Sequence, residues 1–138
     1  MNLLSSPAVI LSAAVTILAA LFCLAAAMNV ARKRRAHGIE VPAMSGHPEV
    51  ERALRVQGNT VEQFVIFLPA LWLATLYFQG WIPPVIGLIW VIGRVIFLVG
   101  YMASADKRHI GFGITVLSNI ALLILATIGV VNAWTVVG

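Results

Sequence analysis

Charged side chains are scarce in this sequence of 138 residues, because Asp, Glu, Lys and Arg together account for only 10% of it. Soluble domains carry more than twice that share. Hydrophobic residues make up 61%, and the mean hydropathy is +0.99. About three stretches of roughly 30 residues contain no charge, and each exceeds the roughly 20 residues that a helix needs to cross a bilayer. The composition excludes an ordinary soluble domain and predicts an integral membrane protein.

Potential metal ligands and disulfide partners are equally few. Cys23 is the single cysteine and lies in the first apolar stretch, so no intramolecular disulfide is possible and we expect it to pack in the core. His37, His47 and His109 show no spacing typical of metal ligands and fall in predicted connecting segments. The sequence predicts solvated histidines and no metal site.

The formal net charge of +4 does not indicate a nucleic-acid partner. The basic residues stand between apolar stretches and form no basic face interleaved with aromatic residues. We therefore interpret them as determinants of membrane orientation.

The apolar stretches predict an all-α fold, a four-helix transmembrane bundle forming a single domain over residues 1–138. Pro83 and Pro84 suit the first turn of the third helix, and Pro69 is expected to bend the second. A polar linker is predicted at about residues 32–47. The helices are predicted at about residues 7–31, 48–78, 83–105 and 110–136.

The connections differ sharply in charge. The linker after the first helix begins with the basic block 32–35, and the turn after the third helix contains Lys107 and Arg108, whereas the connection at Trp81 is uncharged. Because basic connections face the cytoplasm, we expect both of these there, and both termini on the opposite side.

Polar residues of the second helix follow one stripe about 100° wide at helical spacing. The stripe consists of Glu51, Arg52, Arg55, Asn59 and Glu62. An ionised carboxylate facing lipid costs several kcal/mol, so this stripe should face protein or a water-filled cavity. A structural ion-pair network that locks neighbouring helices is the alternative interpretation.

A second polar face is predicted on the third helix. Arg94, Tyr101 and Arg108 are seven residues apart, which is about two helical turns per step. Arg94 is too deep to act as an orientation signal, and a bridge to Glu62 is one alternative for it. Arg108 taken alone fits an orientation signal, and Tyr101 taken alone an interfacial aromatic.

Both polar faces open toward the same side of the membrane, which predicts a small charged pocket. Arginine guanidinium groups bind carboxylates, Glu62 suits an ammonium group, and Asn59 suits an amide. A guanidinium beside a ligand thiol also favours the thiolate, which is the nucleophilic form. The inventory fits a charged, peptide-like ligand.

The segment 51–62 contains the pattern E-R-x-x-R-x-x-x-N-x-x-E, which resembles the second helix of the MAPEG family, the membrane-associated proteins in eicosanoid and glutathione metabolism. Segments 93–95 and 100–108 are similar to the family's third helix, and the resemblance covers essentially the whole chain. It implies a homotrimer, with glutathione as co-substrate held between the second helix of one subunit and helices of its neighbour.

The resemblance also implies roles for individual residues. Arg108 would be the catalytic residue that stabilises the glutathione thiolate. Arg32 would be a further glutathione contact, with Arg34 and Arg35 as alternatives. The other glutathione-binding residues would be Arg55, Gln57, Asn59, Glu62 and Tyr101. Structural or pocket-wall roles would fall to Glu51, Arg52, Arg94 and Phe97.

The resemblance implies a membrane-bound glutathione transferase that conjugates glutathione to hydrophobic electrophiles. Reduction of lipid hydroperoxides, a peroxidase activity, is the other reaction that it implies. Phe97 and Gln63 stand where eicosanoid-synthesising members carry tyrosine, which argues against specialised eicosanoid synthesis. The second substrate is expected to arrive from the bilayer, and no further cofactor is implied.

Two other classes of protein remain as alternatives. One is a non-catalytic scaffold with the same helices. The other is a small four-helix multidrug transporter, which needs an ionisable residue deep in the membrane. Glu62 is a poor candidate for that residue because arginines surround it, and the first helix contains no acidic residue.

Overall fold

Helices account for nearly all of the chain in the computed structural model, which describes residues 5–137. The outermost residues of the predicted domain, 1–4 and 138, lie outside the described residues. The helices are α1 (Pro7–His37), α2 (Pro48–Leu73), α3 (Ile82–Ala103) and α4 (His109–Val137). A π-helical turn, Ala74–Phe78, extends α2, and a 3-10 turn, Ala105–Arg108, precedes α4.

All four helical segments are long and apolar enough to cross a membrane. They span 31, 31, 22 and 33 residues when the two short turns are included, with hydropathies of 1.6 to 2.6 in their most apolar windows. The predicted all-α architecture with four long apolar helices is confirmed.

The first helix is longer than predicted, because it continues through the basic block to His37 instead of ending near residue 31. Arg and Lys are good helix formers, so four consecutive basic residues do not break the helix. Gly38 ends it in the left-handed conformation, with φ of 63°, and its N–H donates to the carbonyl of Arg34. The linker is therefore residues 38–47, and the basic block belongs to α1.

The third helix begins at Ile82 and has proline in its first turn, as predicted. It ends at Ala103, two residues earlier than predicted, because Ser104 is extended with φ of −162° and ψ of 141°. The 3-10 turn then reverses the chain into α4. This early end separates Arg108 from α3.

Large side chains from three helices fill the centre of the bundle. The rings of Phe67 in α2 and Trp90 in α3 stack with centroids 4.0 Å apart and planes 10° apart. Leu122 of α4 is fully buried in the same cluster. Small residues of α1 complete the packing, with Ala19 fully buried against the cluster.

Buried polar groups also join the helices. The hydroxyl oxygens of Ser12 in α1 and Thr75 in the π-helical turn lie 2.7 Å apart, and Asn119 Nδ2 in α4 donates to Gln63 Oε1 in α2 at 2.9 Å. Hydrogen bonds of this kind fix the rotation of one helix against another because unpaired polar groups are costly in an apolar core.

Glycine allows α3 and α4 to approach closely. A Cβ atom on Gly111 would lie 2.2 Å from the backbone nitrogen of Phe97, and one on Gly100 would lie 2.4 Å from the carbonyl oxygen of Lys107. A larger residue at position 111 would push α3 and α4 apart, and one at position 100 would push the 3-10 turn away from α3. These contacts hold the start of α4 against the end of α3.

The linker is tied to the ends of α1 and α2. Glu49 accepts from Lys33, and His37 Nε2 lies 3.2 Å from the same carboxylate oxygen. The ring of His37 stacks on that of His47, with centroids 3.4 Å apart. The prediction of solvated linker histidines is therefore wrong for these two, because His37 is helical and both rings are packed.

Candidate functional site

A cavity of about 860 Å³ lies where α2, the end of α3 and the start of α4 meet the linker. Its polar wall consists of Ser45, Glu51, Arg55, Asn59, Glu62, Tyr101, Arg108 and His109. Its apolar wall consists of Met44, Leu54, Gly58, Phe97 and Phe112. The cavity thus combines two guanidinium groups, two carboxylates and an apolar wall.

The second helix contributes most of the charged wall. Arg55, Asn59 and Glu62 line the cavity together with Glu51, since helical spacing places them on one face. Arg55 and Glu62 are exposed, so their charged groups are available to a ligand. Arg52 does not line the cavity, and its Nε is buried without a hydrogen-bond partner among residues 5–137.

Arg108 reaches the cavity from the 3-10 turn. The spacing of seven residues from Tyr101 had predicted it on α3. The turn folds back, stabilised by the N–H of Lys107 donating to the carbonyl of Ser104 at 3.0 Å. The guanidinium carbon of Arg108 then lies 5.7 Å from the centroid of the Tyr101 ring. Arg108 and Tyr101 therefore lie close together, as predicted. The 3-10 turn brings them together, and not a continuous helix.

Arg94 lies behind the cavity wall and is fully buried. Its Nη1 donates to Asn59 Oδ1 at 3.0 Å, and its Nη2 donates to Thr60 Oγ1 at 2.7 Å. Its guanidinium carbon also lies 4.1 Å from the centroid of the Phe97 ring. The alternative of a bridge to Glu62 is wrong, because within the part of the chain that the structure describes Arg94 forms no ion pair.

Two of the predicted glutathione contacts lie away from this cavity. Arg32 lines a separate groove of about 650 Å³ with Asn29, Arg35 and Leu98, and its Nη2 donates to Asn29 Oδ1 at 2.9 Å. Gln57 is half-buried on α2 and lines neither space. One chain therefore does not bring these two residues together with Arg55 and Arg108.

The alternatives to Arg32 are also separated from the cavity. Arg34 Nη1 donates to the carbonyl of Glu40 at 3.3 Å, so Arg34 holds its own linker. Arg35 is exposed and shares the groove of Arg32.

Sequence reasoning missed several cavity residues. His109 is exposed, as predicted, and it also lies on the cavity wall directly after Arg108; that adjacency was the available signal. Phe112, near the start of α4, and Met44, in the linker, carried no signal. The sequence around an apolar residue does not show whether its side chain lines a cavity or contacts lipid. Thr60, which does not line the cavity, was also missed. It follows Asn59 directly in the sequence, but its hydrogen bond to Arg94 depends on how α2 and α3 cross.

The donor set of the cavity suits an organic ion with both charges. Across residues 5–137 the structure contains no group of three or more His, Cys, Asp or Glu side chains placed to hold a metal ion. Guanidinium groups bind carboxylates with paired hydrogen bonds, and carboxylates bind ammonium groups. Fold and site together define a multi-pass helical protein with a charged ligand cavity at one end of its bundle.

Comparison with known proteins identifies the family. The sequence matches the profile of the MAPEG family over residues 12–128, and the chain belongs to this family. Membership and the four long apolar helices make it an integral, multi-pass membrane protein. The resemblance seen in the sequence is thereby confirmed.

Three relatives show how far the similarity extends. An uncharacterized protein of Synechocystis is 39% identical over 118 residues, covering 86% of each chain. Human microsomal glutathione S-transferase 2 is 36% identical over 91% of this chain and 85% of its own. Leukotriene C4 synthase of Cavia porcellus is 37% identical over 88% of this chain and 81% of its own.

Proposed function

We propose that this protein is a membrane-bound glutathione transferase. The human relative is named as a glutathione S-transferase. Glutathione carries two carboxylates, one ammonium group, two amides and a thiol. The observation that carries the proposal is the convergence of Arg55, Glu62 and Arg108 on one cavity of a MAPEG-family bundle. The Arg55 guanidinium is complementary to a carboxylate of glutathione, the Glu62 carboxylate to its ammonium group, and the Arg108 guanidinium to its thiolate.

Binding is assigned to the α2 wall. The Arg55 guanidinium pairs with a glutathione carboxylate, and Glu62 accepts from the ammonium group. Asn59 and Tyr101 add hydrogen bonds to the remaining polar groups. Both charged side chains are exposed in the single chain, so they exchange water for ligand without first breaking an internal ion pair.

Catalysis is assigned to Arg108. Its positive charge favours the thiolate of glutathione over the thiol, and the thiol proton passes to solvent. The thiolate then attacks the electrophilic carbon of the second substrate: the sulfur–carbon bond forms, and the leaving group departs with its electron pair. The contact with the Tyr101 ring holds the guanidinium near the cavity.

The second substrate is assigned to the apolar wall. Leu54, Phe97 and Phe112 line the same cavity as Arg108, and Phe112 is exposed. A hydrophobic electrophile dissolved in the bilayer therefore meets the thiolate against an apolar surface. Lipid hydroperoxides are a second class of acceptor to assay. The same thiolate attacks their peroxide oxygen, the O–O bond breaks and the lipid alcohol leaves, and a second glutathione converts the resulting sulfenic acid into glutathione disulfide and water.

We further propose that the complete site forms between copies of the chain in a homotrimer. Arg32 and Gln57 lie outside the cavity that Arg55 and Arg108 line, so a neighbouring copy has to supply them if they contact the same ligand. Many helix positions are also exposed and apolar, which suits contacts with lipid or with another copy.

The proposed sidedness places this cavity at the cytoplasmic face. The cavity shares its end of the bundle with the basic end of α1 and the turn that contains Lys107 and Arg108. Basic connections face the cytoplasm, where glutathione is abundant, and both termini then lie on the opposite side.

The test is the ultraviolet absorbance of the thiolate when glutathione is titrated into the purified, detergent-solubilised protein. We expect a thiolate signal in the parent, its loss in Arg108→Ala, and its retention in Lys107→Ala. Lys107 is a matched control because it is a cation of the same turn that does not line the cavity. Bound glutathione without a thiolate signal would favour the scaffold, and absence of binding would contradict the proposal.

A further inference from the structure

The buried guanidinium of Arg94 lies among neutral partners. Its side chain is fully buried in the middle of α3, and no carboxylate among residues 5–137 pairs with it. Its Nε has no hydrogen-bond partner within the same residues, whereas both terminal nitrogens donate to α2. Because a buried cation without an acidic partner is costly, packing alone is a poor reason for an arginine at this position.

Arg94 determines which atom of Asn59 faces inward. An arginine side chain donates hydrogen bonds and never accepts them, so the Asn59 atom that it meets has to be the carbonyl oxygen Oδ1. The amide nitrogen Nδ2 then remains for a ligand in the cavity that Asn59 lines. Without Arg94, the amide is free to turn and to present oxygen or nitrogen.

The guanidinium itself is anchored at two further points. Thr60 Oγ1 accepts from Nη2 and donates to the carbonyl of Val56 at 2.7 Å, so its hydroxyl proton is already committed to the backbone. The ring of Phe97 covers the guanidinium at 4.1 Å from its centroid. The orientation of Asn59 is therefore set before any ligand arrives, which lowers the entropic cost of binding.

The geometry points to Arg94 as a positioning residue for glutathione recognition: it holds Asn59 so that the amide N–H groups face the cavity and donate to a carbonyl or carboxylate oxygen of glutathione. The inference rests on the proposed function, because it names glutathione as the acceptor. It assigns to Arg94 an effect on affinity that is transmitted through Asn59, in addition to its contribution to folding.

The experiment measures the KM for glutathione and kcat with chlorodinitrobenzene for Arg94→Met, Asn59→Ala and the double variant, all purified in detergent. We expect each single variant to raise KM about tenfold, the effect of one hydrogen bond to a charged or strongly polar group. We expect kcat at saturating glutathione to change by less than about twofold. The KM of the double variant should be no higher than that of Asn59→Ala, since both substitutions remove the same hydrogen bond between Asn59 and the ligand.

Thr60→Val is the matched control, because it removes the other acceptor of Arg94 and leaves the bond to Asn59 in place. Its KM should rise much less than that of Arg94→Met, since the bond to Asn59 and the cover by the Phe97 ring both remain. If Arg94→Met does not fold, the positioning role of Arg94 is tested by comparing the KM for glutathione of Arg94→Lys with that of the double variant Arg94→Lys/Thr60→Val. Removing Thr60 leaves Asn59 as the acceptor for the single ammonium group, so the KM of the double variant should be lower than that of Arg94→Lys.

Three results would overturn the inference: an unchanged KM in Arg94→Met, multiplied effects in the double variant, or no recovery of KM when Thr60→Val is added to Arg94→Lys. Failure of the proposed function is distinguishable from these. In that case the parent itself binds no glutathione, and both proposals are wrong.

Discussion

Exposure separates the two arginines that line the cavity from the one that lies behind its wall. Arg55 and Arg108 are exposed and line the cavity, whereas Arg94 is fully buried and bonded to neighbouring helix α2. Exposed charges exchange water for a ligand at low cost, while a buried charge has its hydrogen-bond partners fixed by the fold. The two exposed arginines are therefore suited to bind and react, and Arg94 to orient its neighbours.

Replacing the cavity charges should separate catalysis from binding. Arg108→Ala removes the charge that stabilises the thiolate, so we expect kcat to fall about 10²- to 10³-fold with a smaller change in glutathione affinity. Arg55→Ala and Glu62→Gln remove ground-state contacts, so we expect affinity to fall about tenfold. Calorimetric titration and steady-state kinetics measure both quantities. Parent-like turnover in Arg108→Ala would refute its catalytic assignment.

The helices are positioned by close contacts at glycine as much as by apolar side chains. Gly111 meets the backbone of Phe97, and Gly129 meets that of Phe78, where an added Cβ would lie 2.4 Å from its nitrogen. These contacts bring α4 against α3 at one end and against the π-helical turn at the other. The cavity depends on the first of them, since Phe112 and His109 flank Gly111 on its wall.

Gly111→Ala should destabilise the protein, whereas Gly113→Ala should not. The new methyl group at residue 111 has to displace the backbone of Phe97, which costs about 1–3 kcal/mol of unfolding free energy. At Gly113 nothing lies within 4 Å of an added Cβ, and alanine improves helix propensity by up to about 1 kcal/mol. Thermal unfolding in detergent measures both. Equal melting temperatures for the two variants would contradict the close approach of α3 and α4.

At the level of the whole molecule, the arginines proposed to contact glutathione line two separate spaces of one chain. The cavity of Arg55 and the groove of Arg32 are lined by different residues, and the groove lies beside α1 and Leu98 of α3. If both serve one ligand, the functional unit is an assembly in which the groove of one copy faces the cavity of the next. A head-to-tail contact of this kind closes into a ring when its rotation divides a full turn, as in the proposed homotrimer.

Co-expression of two variants with weakened glutathione binding should restore activity at low glutathione concentration if sites are shared between copies. A site between an Arg32→Ala chain and an Arg55→Ala chain retains both arginines when each comes from the intact partner. Random mixing leaves about a quarter of the sites complete, so we expect about a quarter of the parent activity. The mixture should be compared with each variant alone. Activity no higher than that of the single variants would argue that one chain supplies both residues.

Sidedness is tested with single cysteines in a Cys23→Ala background. Ala43→Cys lies in the exposed linker, and Trp81→Cys lies in the exposed connection between α2 and α3. A membrane-impermeant maleimide should label the cysteine at residue 81 in intact cells and that at residue 43 only after permeabilisation, since basic connections face the cytoplasm. The opposite pattern would place the cavity on the outer side.

Features that depend on a local pattern of residues could be predicted from the amino-acid sequence. Charge-free stretches predicted four apolar helices, and helical spacing placed Arg55, Asn59 and Glu62 on one face. Both follow from the period of a helix and the thickness of a bilayer, so no knowledge of neighbours is needed. The motif of the second helix was sufficient to indicate the family.

Contacts between segments distant in the chain could not be predicted, and the fold was needed to establish them. It showed that Arg94 bonds to Asn59 and not to Glu62, that a 3-10 turn brings Arg108 to the cavity, and that Arg32 lies in a different groove. These outcomes depend on where helices cross and where each one ends. Those points move by several residues when glycine allows a close contact, when a serine is extended, or when a basic block continues a helix. The spacing of residues along one helix carries no information about the neighbouring helix.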